Sequence, residues 1–167
     1  SKIITSPSPV INNFNCDRKE TSDFAFPVRD KKPEVIEALD GQLITNKFSI
    51  DLKIENGFYV SDVAKDILKI VVVNRYQNAS VAKGFIKNFG LKKGAIASSV
   101  AHDSHNIIAV GADDESICEA VNLIIESKGG VSVADNKNHS FNKILRLPVT
   151  GLMSNEDGYK IAETYTA

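Results

Sequence analysis

Residues 106–134 read NIIAVGADDESICEAVNLIIESKGGVSVA, and the change of periodicity inside this stretch decides the fold. NIIAVG has the apolar density of a short buried strand. Asp113, Asp114 and Glu115 then place acidic groups where a helix N-terminus favours them. Ile117, Ala120, Val121, Ile124 and Ile125 recur at i, i+3, i+4, i+7 and i+8, a single apolar stripe. Gly129 and Gly130 are expected to stop the helix by taking the left-handed C′ conformation, and VSVA at 131–134 makes a second strand. A strand, helix and strand of this length predict a parallel pair with a right-handed crossover. Each Ile or Val of the stripe contributes about 1.5–3 kcal/mol when buried, so the unit anchors the fold.

Working outward, KILRLPV at 143–149 reads as an edge strand, because Pro148 cannot donate to a ladder. Ser154 to Asp157 resembles a helix start, and Tyr159, Ala162 and Tyr165 keep helical spacing. Upstream, ILKIVVV at 67–73 is rich in β-branched residues and suits a strand covered on both faces. AKGFIKNFG reads as strand rather than short helix. GAIASSVA at 94–101 is a strand of small side chains, which implies that something approaches it closely. FSIDLKI at 48–54 alternates strictly and predicts a half-buried strand, with Asn56-Gly57 turning the chain in a type I′ hairpin towards FYV at 58–60. Residues 1–33 hold four of the five prolines and read as a connecting arm with extended segments, ahead of a domain at 34–167. The expected fold class is α/β-type, mixed α+β, with mixed parallel and antiparallel sheets, a βαβ unit at 106–134 and a C-terminal helix.

A chain of 167 residues buries about 70% of its unfolded surface, enough for a real core. With 43% hydrophobic and 25% charged residues it is too apolar for disorder. Twenty basic against 21 acidic residues leave no electrostatic footprint for nucleic acid. No apolar run approaches the roughly 20 residues that span a bilayer, and SKIITSPSPV has no signal-peptide core. Cys16 and Cys118 lie far apart without a CxxC, so neither a disulfide framework nor a thiolate zinc site is indicated, and a cytoplasmic location is expected.

The chemistry-bearing cluster is VAHDSHN at 100–106, and several readings of it stand side by side. As a metal site, His102 and His105 with Asp103 fall short of the three or four ligands zinc takes, unless His139 and Cys118 join them. As a catalytic dyad, Asp103 orienting a histidine with Ser104 as nucleophile lacks an elbow or oxyanion loop. The cluster also reads as a polar loop satisfied by backbone groups, or as a loop serving a site built elsewhere. Arg75 and Tyr76, at the end of another strand, share that last reading. Gly111-Ala112-Asp113 lacks a GxGxxG or Walker pattern, and the acids beside it would repel a phosphate.

EALDGQLIT (37–45), DILKIVVVNRY (66–76), GFIKNFGLKKGAIASSVAHDSHNIIAVG (84–111), AVNLIIESKGG (120–130) and LPVTGLMS (147–154) together resemble the C-terminal domain of bacterial adenine deaminase. The resemblance implies a parent hydrolase of the amidohydrolase superfamily, acting on a cyclic amidine C–N bond to convert adenine and water to hypoxanthine and ammonia. It implies a manganese or iron site in a (β/α) barrel that precedes this domain, and a homo-oligomeric enzyme. This chain has no HxH pair and no room for such a barrel. No metal ligand or catalytic residue of the barrel can therefore be carried over, no cofactor is expected in this fragment, and the fragment alone is expected to be inactive. What the resemblance leaves to test is whether His102, Asp103, Ser104, His105 and Asn106, with Arg75 and Tyr76, cover the barrel's active site or hold a subunit interface. The rival reading is a free-standing, non-catalytic ligand-binding or oligomerisation module; a small hydrolase using the HDSH loop alone would need its own metal.

Overall fold

Residues 11–30 and 32–166 are described by the computed structural model. In chain order the strands are β1 (Val35–Ala38), β2 (Thr45–Phe48), β3 (Ile54–Glu55), β4 (Phe58–Tyr59), β5 (Ile67–Val73), β6 (Ala82–Lys87), β7 (Ala95–Ser98), β8 (Ile107–Gly111), β9 (Gly130–Ala134) and β10 (Lys143–Arg146). Helix α1 spans Asp114–Ser127 and α2 spans Gly158–Thr166. Eight strands form one sheet in the order β10-β9-β7-β8-β5-β6-β1-β2, and β3 and β4 form a separate hairpin. The β1–β6 pair is parallel and every other pair in the sheet is antiparallel, so the mixed α+β class holds.

The βαβ unit is present in a split form. β8 and β9 run in the same direction, but they do not pair: β7 lies between them, antiparallel to both. The helix periodicity reports two parallel strands on one face of α1 and carries nothing about an intervening strand. That strand is the one with small side chains, and its Ala95 and Ala97 are buried under α1 with Ile117, Ala120, Val121 and Ile124. Asp113 caps α1, its Oδ1 accepting from Ser116 N at 2.8 Å. Asp113→Ala should cost about 1 kcal/mol, read from the midpoint of urea unfolding. At the other end the residue in the left-handed conformation is Lys128 (φ 55°), not a glycine; its N–H reaches the carbonyls of Ile124 and Ile125. Gly129 and Gly130 serve close approach instead, since a Cβ on either would collide with the 145–151 segment.

FSIDLKI is not one strand. Phe48 ends β2, Ile54 begins β3, and 49–53 runs between them outside any ladder. The alternation still predicts burial as far as Leu52, because Phe48, Ile50 and Leu52 pack over Val35 and Phe85, whereas Ile54 is exposed. Asn56 (φ 50°) and Gly57 (φ 82°) both have positive φ, as a type I′ turn requires, and Ile54 pairs with Tyr59. β10 is an edge strand on β9, and β5 lies inside the sheet between β8 and β6.

Of the proposed arm, residues 1–10 and 31 lie outside the described residues. Residues 11–30 run over the α1 side: Phe24, in a 3-10 turn at Thr21–Phe24, is fully buried, and Lys19 N donates to Asn122 Oδ1 at 2.9 Å. Cys16 and Cys118 are buried free thiols, and burial raises both pKa values. Among the described residues no helix is long and apolar enough to cross a membrane.

Candidate functional site

β5 and β8 are antiparallel with Val73 opposite Ile107, so the end of β5 and the start of β8 meet at one rim of the sheet. That register brings Arg75 and Tyr76 against the loop that enters β8. Arg75 N donates to Asn106 Oδ1 at 3.4 Å, and Tyr76 OH donates to Ser104 O at 3.2 Å. Arg75 Nη2 in turn donates to Tyr76 OH at 3.1 Å. Arg75 is 4% exposed, and its guanidinium lies 4.7 Å from the Tyr76 ring centroid and 5.6 Å from that of Phe14. Its Nη1 reaches Asn12 Oδ1 at 3.5 Å, and a separate turn, bridged by Val149 and Met153, closes over it at Gly151 (φ 75°), where any Cβ would collide with Nη1. Among the described residues no carboxylate pairs with Arg75.

The loop folds by local bonds. His105 N donates to Ala101 O at 2.7 Å and Ser104 N to His102 O at 2.9 Å. Asp103 (φ 64°) and His105 (φ 47°) hold left-handed conformations that non-glycine residues adopt at a cost. The side chains of His102 and Asp103 are 95% and 90% exposed and meet each other at 3.2 Å. His105 is half-buried. Its Nδ1 and Arg75 Nε are both buried without a hydrogen-bond partner among the described residues. The structure thus joins Arg75, Tyr76, Ser104 and Asn106 in one network and leaves His102 and Asp103 projecting from it.

These residues do not fit a metal centre. Among the described residues no group of three or more His, Cys, Asp or Glu side chains is placed to hold a metal ion. His139 and Cys118 do not converge on the loop: His139 Nδ1 faces Glu119 at 3.2 Å, and Cys118 Sγ donates to Lys19 O at 3.3 Å. Ser104 Oγ accepts from Asn106 N at 3.4 Å, with no histidine in the arrangement of a dyad.

Asn12, Phe14 and Gly151 were not legible as site residues, because they reach Arg75 from more than 60 positions away. A second buried charge was legible and missed. Lys69 stands in the middle of ILKIVVV, and a strand covered on both faces must bury whatever it carries. It is 1% exposed, with Nζ donating to Asp114 Oδ1 at 2.5 Å and to Phe24 O at 3.0 Å.

The fold and this rim define a class: an α+β domain that presents a polar, partly unsatisfied strand-end loop. The family model of the adenine deaminase C-terminal domain matches residues 42–167, and the chain belongs to that family. It is 47% identical over 93% of its length to the adenine deaminase of Borreliella burgdorferi. It is 55% identical over 88% of its length to that of Methanosarcina acetivorans, and 41% identical over 95% to that of Salinibacter ruber. The chain spans only 28%, 26% and 29% of those three relatives.

Proposed function

We propose that this chain is the C-terminal part of a metal-dependent, cytoplasmic adenine deaminase, which hydrolyses adenine to hypoxanthine and ammonia in purine catabolism. The carrying observation is the family match over residues 42–167, with relatives named adenine deaminase. In this reading the metal, manganese or iron, is held by the barrel of the same polypeptide, and this chain contributes no ligand to it. Its own part is the rim: the 101–106 loop with Arg75 and Tyr76 covers the barrel's active site or a subunit interface of a homo-oligomer. Two features support that role. Arg75 Nε and His105 Nδ1 are buried polar atoms without partners among the described residues, and a contact from outside the chain would satisfy them. The strained φ values of Asp103 and His105 hold His102 and Asp103 outward, where they can meet another surface.

His102→Ala, His105→Ala and Tyr76→Phe in the full-length enzyme test it. Each is expected to lower kcat/KM for adenine by about tenfold or more while metal content stays unchanged. Turnover, metal content and assembly that all match the parent would remove the rim from any functional role.

A further inference from the structure

The eight-stranded sheet is covered along one side and over only part of the other. Val71, Ala97, Ala109 and Ser132 point towards α1, the 11–30 segment covers its flank, and residues 48–59 close the β1–β6 end. On the opposite side the ladder register aligns two rungs across β5, β8, β7, β9 and β10. One runs Ile70, Val110, Ile96, Val133, Lys143, and the other Val72, Ile108, Ser98, Val131, Leu145. Val63 and Leu91 cover this face beside Leu68 and Val110. Towards β10 it stays open, with Val133 40% and Phe141 54% exposed. A hollow of about 960 Å³ lies there, lined by Ile96, Val131, Val133, Phe141, Leu145 and Tyr165, with the charged Lys143 and Glu163 also in its wall.

Helix α2 stands at the wall of the hollow and has no buried residue. A helix of nine residues is too short to persist on propensity alone, so it too lacks the packing that would hold it. A sheet must bury both faces or leave one polar, and towards β10 this face is mainly apolar yet only partly covered.

We propose that this face and α2 seat the polypeptide that precedes the chain in the full-length protein, as a permanent intramolecular contact. The proposal rests on the reading that the chain is a C-terminal part; it does not depend on which reaction the whole protein performs. Most of the length of the relatives lies outside the matched region, and the matched family is by description a C-terminal domain, so that length precedes it. Ile11 O accepts from Thr150 N at 2.7 Å, and Asn12 Nδ2 donates to Lys128 O at 2.6 Å and to Pro148 O at 2.9 Å, so the first described residues are fastened between the end of α1 and the segment after β10. From β5 to β9 the two rungs carry Ser98 as their one polar member, and Lys143 follows on β10, an apolar centre with a polar edge as in protein contacts.

The test is thiol reactivity in the full-length protein, whose Cys16 and Cys118 are buried in this domain. Val133→Cys and Tyr165→Cys report on the face, and Glu115→Cys, exposed at the start of α1 on the opposite side, is the control. With the face occupied, both reporters react with a maleimide at least about tenfold more slowly than the control, at every protein concentration. Rates equal to the control would overturn the proposal. Protection that disappears on dilution, in step with dissociation seen by sizing, would also overturn it and assign the face to a second copy. Adenine turnover measured on the same samples reads the functional proposal separately: protection without turnover would sink that proposal and leave the docking intact.

Discussion

Lys69→Met is expected to destabilise the chain by about 3 kcal/mol in urea unfolding, because it leaves Asp114 partly buried without its cation and Phe24 O without its donor. Removing both charges is expected to do far less harm. Burial raises the Asp114 pKa, and the Lys69 hydrogen bond and charge only partly offset it, while a buried ion pair replaced whole by apolar groups is in general near neutral. Lys69→Met combined with Asp114→Leu should recover most of the loss. The pH dependence follows from the same sign. A carboxyl whose folded pKa lies above its unfolded value contributes stability that is complete below the unfolded pKa and is lost as pH rises through the folded one. The Asp114 contribution should therefore weaken as pH climbs through the carboxylate range, and Asp114→Leu should remove that slope. A double variant as unstable as Lys69→Met would show that the cation matters for Phe24 O alone.

Phe24→Ala is expected to cost about 3–5 kcal/mol, the range for emptying a fully buried aromatic site. Phe24 is the main apolar anchor of the 11–30 segment among the described residues, and its carbonyl holds Lys69 Nζ. Its loss and that of Lys69 should not be additive, since each variant loosens the other's partner. Lys83 Nζ holds the next carbonyl, Ala25 O, at 2.9 Å, and its pKa is lowered by burial and then by the nearby Lys69 charge. Unfolding of the double variant Phe24→Ala, Lys69→Met is the check: a loss equal to the sum would mean that the segment is not clamped as one unit.

The elements legible in the sequence were those whose signal is local. The α1 stripe, the Asn56-Gly57 turn and the apolar run of β5 are each set by neighbouring residues, and each stands where its pattern puts it. FSIDLKI shows the limit. Alternation records which side chains meet a core, and Ile50 and Leu52 do so from extended backbone that has no ladder partner. Strand order is not local either: nothing in residues 106–134 announces that β7 will enter between β8 and β9. At the candidate site, VAHDSHN is legible as a dense polar loop, but the direction of its side chains depends on the left-handed backbone of Asp103 and His105. The burial of Arg75 depends on Asn12, Phe14 and Gly151, which the fold alone brings together.

The most direct test is adenine turnover by the separately produced preceding part of the proposed deaminase, supplied with manganese or iron, before and after this chain is added. A clear gain in rate is expected on addition, and a smaller gain when the added chain carries His102→Ala and His105→Ala. A preceding part that is soluble, metal-loaded and equally active without the chain would contradict the proposed role.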